Sequence, residues 1–174
     1  ILQVGLPPMV MYGWGFEDKV RAQLAAITDL PLATDIGSCI KGMQVLGMSN
    51  VVMLSPSAFN DDIQEDLVNY VRHAGINVVA ARRIEVPRSE ASHLPLSVPY
   101  RAAKALYHSV TDEKVDGVWI TGAFQPSVGM IAQLEDDLGV PVVSSMQAVM
   151  WAGLRLAKIP DKLPGFGRLL ETDY

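Results

Sequence analysis

Two hydrophobic periods alternate along this chain. Short runs at Val51–Leu54, Ile76–Ala80, Gly117–Thr121 and Val140–Val143 are almost wholly apolar and rich in β-branched residues. Such runs suit strands of a parallel sheet buried on both faces. Between them apolar residues recur three or four apart: Val20, Leu24 and Ile27 in a helix over 17–27, and Ile36, Ile40, Met43 and Leu46 in one over 36–46. Ile63, Leu67, Tyr70 and Val71 mark a helix over 62–74, and further helices are predicted over 98–110, 127–138 and 146–157. Leu2–Val4 reads as a first strand. Gly75 and Gly139 fall just after helices, where a left-handed C-cap is expected. Strands alternating with helices of this length predict an α/β fold: a doubly wound, mostly parallel sheet with helices on both faces. The strands at Val51, Gly117 and Val140 should be neighbours, and residues 82–97 should form a surface loop.

Composition narrows the function classes. Of 174 residues, 49% are hydrophobic, enough for a well-buried core. The net charge of −5 argues against a nucleic-acid footprint, since the one basic cluster, Arg82, Arg83 and Arg88, is diluted by Glu85 and Glu90. No apolar run approaches the roughly 20 residues of a membrane span, so no membrane partner and a cytoplasmic location are expected. One cysteine and three scattered histidines make neither a disulfide nor a metal framework. Gly13-x-Gly15 and Gly165-x-Gly167 lack the context of a dinucleotide loop, and read as turns. No cofactor is expected.

The stretch from Asp116 to Leu170 carries a resemblance. Leu138-Gly139-Val140-Pro141-Val142-Val143-Ser144-Ser145, Trp151, Leu154-Arg155-Leu156 and Pro164-Gly165-Phe166-Gly167-Arg168-Leu169 resemble the aspartate/glutamate racemase superfamily, in its branch of arylmalonate decarboxylases and maleate cis-trans isomerases. Leu30-Pro31, Leu46-Gly47 and the Val51 strand fall into the same register. The resemblance implies a two-lobe architecture with an incomplete first lobe: residues 1–48 as its remainder, 49–145 as a flavodoxin-like C-terminal lobe, and 146–174 as a helix and strand-like tail returning to the first. Because the chain opens on what reads as mid-strand, it is expected to be an N-terminally truncated or partial form.

The family's chemistry is implied with residues missing. Its members stabilise an enediolate-like intermediate with backbone donors and reprotonate it with a cysteine at the end of the strand matching Val118–Thr121. Here that position is Gly122. On the opposite wall the family's cysteine or Thr-Ser donors fall on Leu6, Pro7 or Pro8, none of which offers a polar side chain. The family's tyrosine aligns with Phe59. Proton delivery would then fall to Ser57, Thr121, Ser145, Tyr12 or water.

In an open parallel sheet, ligands bind beyond the carboxyl ends of the strands. Pro8, Met9, Ser57, Phe59, Gly122, Ala123, Ser144 and Ser145 are therefore expected to line one cleft. A helix beginning near Pro126 would leave the N–H groups of Gly122, Ala123 and Gln125 free for a carboxylate. Cys39 is an alternative nucleophile if a helix terminus lowers its pKa, and otherwise a small core residue. Asp35 is either an N-cap or a general base. His73 and His108 suit helix C-termini at the surface. The sequence thus points to a protein that binds a small carboxylic acid in an inter-lobe cleft, as a decarboxylase or isomerase with cysteine chemistry lost or altered. The alternative is a catalytically silent binding or regulatory relative. A homo-oligomer is a further expectation.

Overall fold

A computed structural model describes residues 1–87 and 89–173; Arg88, counted above in the basic cluster, lies outside the described residues. The main sheet contains β3 (Asn50–Pro56), β4 (Asn77–Ile84), β5 (Gly117–Ile120) and β6 (Val142–Ser144), in spatial order β4-β3-β5-β6 with every pair parallel. The three strands expected as neighbours are neighbours. Beside it β1 (Leu2–Gln3) and β2 (Ala33–Thr34) form a two-stranded parallel sheet.

Alternation along the strands sorts the core into two layers. Val51, Met53, Trp119 and Val143 point to one face. There they meet α3 (Asp35–Val45), α4 (Asp61–His73) and α7 (Ser145–Leu156). Val52, Leu54, Val118, Ile120 and Val142 point to the other, against α5 (Ser97–Ser109) and α6 (Ile131–Leu138). Side chains on successive strand residues face opposite sides, so a strand covered on both faces must be apolar throughout. That is why these strands lack a polar face in the sequence.

Local chemistry sets the ends of the elements. Asn60 caps α4 by accepting from the Ile63 N–H at 3.0 Å. Asp61 and Asp62 follow in its first turn, with Arg72 and His73 in its last, the arrangement a helix dipole favours. Gly139 closes α6 with a left-handed φ of 71°. Asp116 accepts from both the Ser49 and Asn50 N–H groups at 2.9 Å, fixing where β3 starts beside β5.

Four details depart from the sequence reading. β4 continues to Ile84, and a 3-10 turn at Ala91–His93 interrupts the expected loop; β4 is an edge strand, and its charged end, with Arg82 exposed and Arg83 half-buried, concealed it. A short helix α1 (Pro7–Val10) follows β1. Its prolines sit where a missing N–H costs nothing. The helix expected at residue 127 begins as a 3-10 turn, Val128–Met130, and becomes α-helical only at Ile131. The tail is not a strand: residues 164–167 turn and Arg168–Glu171 form a 3-10 turn.

Side chains of the last third hold that tail down. The Trp151 indole N–H donates to the Thr172 carbonyl at 3.1 Å. Arg155 reaches the carbonyls of Ile159, Asp161 and Thr172. Gln147 donates to the Phe166 carbonyl at 2.8 Å, and Glu135 accepts from the Arg168 N–H at 2.8 Å. Gly167 has a φ of 92°, and a Cβ there would stand 2.4 Å from Ile131 and 2.6 Å from Gln147. Only glycine fits that turn. Leu169 then packs over Gly42 of α3.

Candidate functional site

From β3 the chain proceeds to β4 at one edge of the sheet, and from β5 to β6 at the other. The carboxyl ends of β3 and β5 therefore flank the switch point, where open α/β sheets form a ligand crevice. A cleft of about 410 Å³ lies there. Gly5, Leu6 and Pro7 form one wall, Pro56, Ala58 and Phe59 a second, and Gly122, Ala123, Phe124 and Gln125 the floor, with Ala91 at the side. Among the described residues no ionisable side chain lines it.

The floor is a β-turn closed by the Gln125 N–H donating to the Gly122 carbonyl at 3.2 Å. The central residues of such a turn keep their N–H groups outside it. Those of Ala123 and Phe124 carry no hydrogen bond among the described residues. The Gly122 N–H is not free: it donates to Ser145 Oγ at 3.1 Å. The three-donor expectation is thus corrected, since the Gly122 and Gln125 N–H groups are both engaged. The helix terminus expected to help them starts farther on, at Val128. Phe124, 85% exposed, stands at the rim, where core packing does not account for an aromatic.

Gly122 itself has a φ of 92°, and a Cβ there would sit 2.7 Å from Pro56 Cγ and 3.0 Å from its Cδ. The space a side chain would take at Gly122 is filled by Pro56. A left-handed backbone and a proline ring together suit glycine there.

The other expected residues scatter. Phe59, Gly122 and Ala123 line the cleft, and Ser145 supports its floor from behind. Ser57 adjoins the wall, but its hydroxyl is buried without a partner. Pro8 lies one residue past the wall in α1, and Met9 points into the core. Ser144 ends β6 as the cap residue of α7, its N–H donating to Gln147 Oε1 at 3.3 Å. Of the candidate proton donors, Thr121 bonds Ser55 Oγ at 3.0 Å, and Tyr12 stacks on Phe16 away from the cleft. The Gln125 side chain was missed: it is buried, with both carboxamide atoms unpartnered among the described residues. A polar residue five positions beyond the end of β5 was the available signal.

Behind the floor lies a buried polar cluster. Thr34, not Asp35, caps α3, by accepting from the Gly37 N–H at 3.1 Å. Asp35 instead accepts from the Gly5 N–H at 3.0 Å and lies within hydrogen-bonding reach of Ser145. Burial raises its pKa, and the bonds from Gly5, Ser145 and Cys39 only partly offset that. Cys39 is fully buried 3.6 Å from Asp35, so burial first and the neighbouring carboxylate second push its thiol well above the ordinary range. The helix terminus does not produce a reactive thiolate there. His73 and His108 are exposed in the last turns of α4 and α5, as expected.

An open parallel sheet with its cleft at the switch point, and a smaller sheet contributing one wall, is the architecture of the racemase-like α/β proteins. A family model described as arylmalonate decarboxylase matches residues 9–170. The chain belongs to that family. It is 23% identical over 175 residues to a maleate isomerase of Geobacillus stearothermophilus, covering 97% of this chain and 68% of that protein. The fold matches unliganded arylmalonate decarboxylase with a TM-score of 0.89 at 23% identity, covering 97% of this chain and 73% of the other. A maleate isomerase of Pseudomonas putida S16, crystallised with maleate, matches with a TM-score of 0.79 at 25% identity, over 98% of this chain and 68% of that one. The chain thus spans about two thirds of each isomerase's length. Among the described residues no helix is long and apolar enough to cross a membrane.

Proposed function

We propose that the chain binds a small carboxylic acid in this cleft and does so without cysteine chemistry. The observation that carries the reading is the turn Gly122–Gln125. It presents two unengaged N–H groups on the cleft floor, at the position where the resemblance implies a reacting cysteine, while Pro56 occupies the side-chain space. Adjacent backbone donors suit a carboxylate or an enediolate-like oxyanion. The maleate held by the Pseudomonas putida relative supports the ligand class.

Proton transfer is where this chain departs from the mechanism the resemblance implies. General acid–base catalysis needs a titrating group within about 3 Å of the reacting atom, directly or through one water. Among the described residues no ionisable side chain lines the cleft, the hydroxyls of Thr121 and Ser145 are engaged, and Cys39 is sealed. Binding without cysteine-dependent turnover follows. The test is calorimetric binding of maleate and phenylmalonate, with turnover followed in parallel. Binding without turnover is the expected outcome. Turnover that survives Cys39→Ala and iodoacetamide would establish a cysteine-free catalytic route, and turnover abolished by Cys39→Ala would contradict the reading.

A further inference from the structure

We propose that Asp35 is a proton-coupled positioning residue of the cleft: a carboxylate docks together with a proton, taken from the buffer onto the Asp35 carboxyl, and binds more weakly once that carboxyl is ionised. This rests on the carboxylic-acid reading and adds how the same site responds to pH.

Asp35 is fully buried at the head of α3. Its Oδ2 accepts from the Gly5 N–H at 3.0 Å, and Gly5 belongs to one wall of the cleft. It also lies within hydrogen-bonding reach of Ser145, whose Oγ accepts from the Gly122 N–H of the floor at 3.1 Å. One carboxyl therefore stands a single hydrogen bond behind a wall and two behind the floor. Its Oδ1 faces Cys39 Sγ at 3.6 Å, so every group that holds it is a neutral donor.

The neighbouring elements add few other charges. In α2 (Phe16–Ala25), Glu17 accepts from Thr34 Oγ1 at 2.7 Å, one residue before Asp35, and is itself paired with Arg21 at 2.7 Å. From β1 the Gln3 side chain accepts from the Asp35 N–H at 3.4 Å, and from β5 Trp119 reaches Cys39. Burial already raises the Asp35 pKa, and a second negative charge nearby raises a carboxyl further.

A carboxylate on the Ala123 and Phe124 N–H groups places that second charge on the order of 10 Å away, across protein rather than water. At an effective dielectric of about 20 the repulsion amounts to roughly tenfold in an equilibrium constant. The coupling is reciprocal: ionised Asp35 weakens binding by the factor by which the ligand resists ionisation of Asp35. The contact with Ser145 survives in both states, since a carboxylate accepts from a hydroxyl and a carboxylic acid can donate to one. What changes is charge, while the walls stay in place.

Maleate is titrated by calorimetry into the wild type and Asp35→Asn between about pH 4 and 9. The ratio of the two affinities cancels the ligand's own titration. We expect near-equal binding in acid, and wild-type binding weaker than that of Asp35→Asn by roughly tenfold once pH has risen through the folded Asp35 value. In the wild type, the Asp35 carboxyl carbon followed by NMR should titrate about one pH unit higher with maleate bound than without, a reading that needs no variant. A ratio level across pH with an unmoved midpoint, as a merely structural Asp35 would give, overturns the proposal and leaves the carboxylic-acid reading standing. So does wild-type binding that tightens against the variant toward neutrality. Failure of maleate to bind at any pH would remove both.

Discussion

At the end of β6, the Ser144 N–H meets Gln147, Gln147 meets the Phe166 carbonyl, and the Val142 N–H donates to Glu135 at 2.9 Å. One strand over, at the end of β5, the turn Gly122–Gln125 leaves two N–H groups and a carboxamide without partners among the described residues. Beyond the pairing of Ile120 with Ser144, the two ends are joined by the Gly122 N–H donating to Ser145 Oγ. The β6 end is where the chain most resembles its family, and its polar groups hold the fold. The β5 end is where the chain diverges, and there polar groups face the cleft or go unpaired. Family likeness here marks structure, while departure from it marks the site.

The largest effect expected from breaking this comparison is at Gly122. Gly122→Cys combines a left-handed backbone with a clash against Pro56, and should destabilise by roughly 2–5 kcal/mol. Denaturant unfolding would measure it, and Pro56→Ala in the same chain should return part of the loss. Unchanged stability of the single variant would mean that Pro56 does not fill the space. Gly122→Cys alone is therefore a poor route to cysteine chemistry, contrary to what the resemblance suggests.

Next comes the β6 side. Glu135→Ala leaves the buried Val142 and Arg168 N–H groups unpaired, a loss of about 2–4 kcal/mol. Hydrogen exchange should show the Arg168 amide losing protection before the sheet does. Equal loss across the whole sheet would argue against a local clasp.

Asp35 joins Gly5 to Ser145 behind the cleft floor, and Asp35→Asn should change stability by less than about 1.5 kcal/mol. The sign depends on pH. Because burial raises the folded pKa, the wild-type carboxyl's contribution is complete below the unfolded value, about 3.9, and is lost as pH rises through the folded value. The variant should thus match the wild type in strong acid and gain on it toward neutrality. A gain largest in acid would contradict a raised pKa. Smallest is Cys39: the native thiol should resist iodoacetamide over hours at pH 8 and react once unfolded, as mass spectrometry would show. Rapid native labelling would mean that the thiol is neither sealed nor raised.

How much of this was legible in the sequence depends on what each residue answers to. Val51–Leu54 and Gly117–Ile120 answer to burial on two faces, so composition alone located them. The switch point follows from strand order, which period and family register also gave. Pro56 filling the space at Gly122 does not follow, because it depends on two strand ends meeting in space. Nor does Asp35 turning from the helix cap toward Gly5, since Thr34 and Asp35 are equally plausible caps until the backbone is placed. The burial of the Gln125 side chain does not follow either, because a lone glutamine carries no motif. Met9 was expected in the cleft because α1, only four residues long, was not foreseen.

The central claim is that a carboxylate docks on the Ala123 and Phe124 N–H groups. An amide-resolved NMR titration of the wild-type chain with maleate tests it most directly. The account predicts saturable shifts centred on the Ala123 and Phe124 amides, with smaller ones at Gly5 and Phe59. Shifts centred elsewhere, on the exposed face of α7 for example, with Ala123 and Phe124 unmoved, would contradict it.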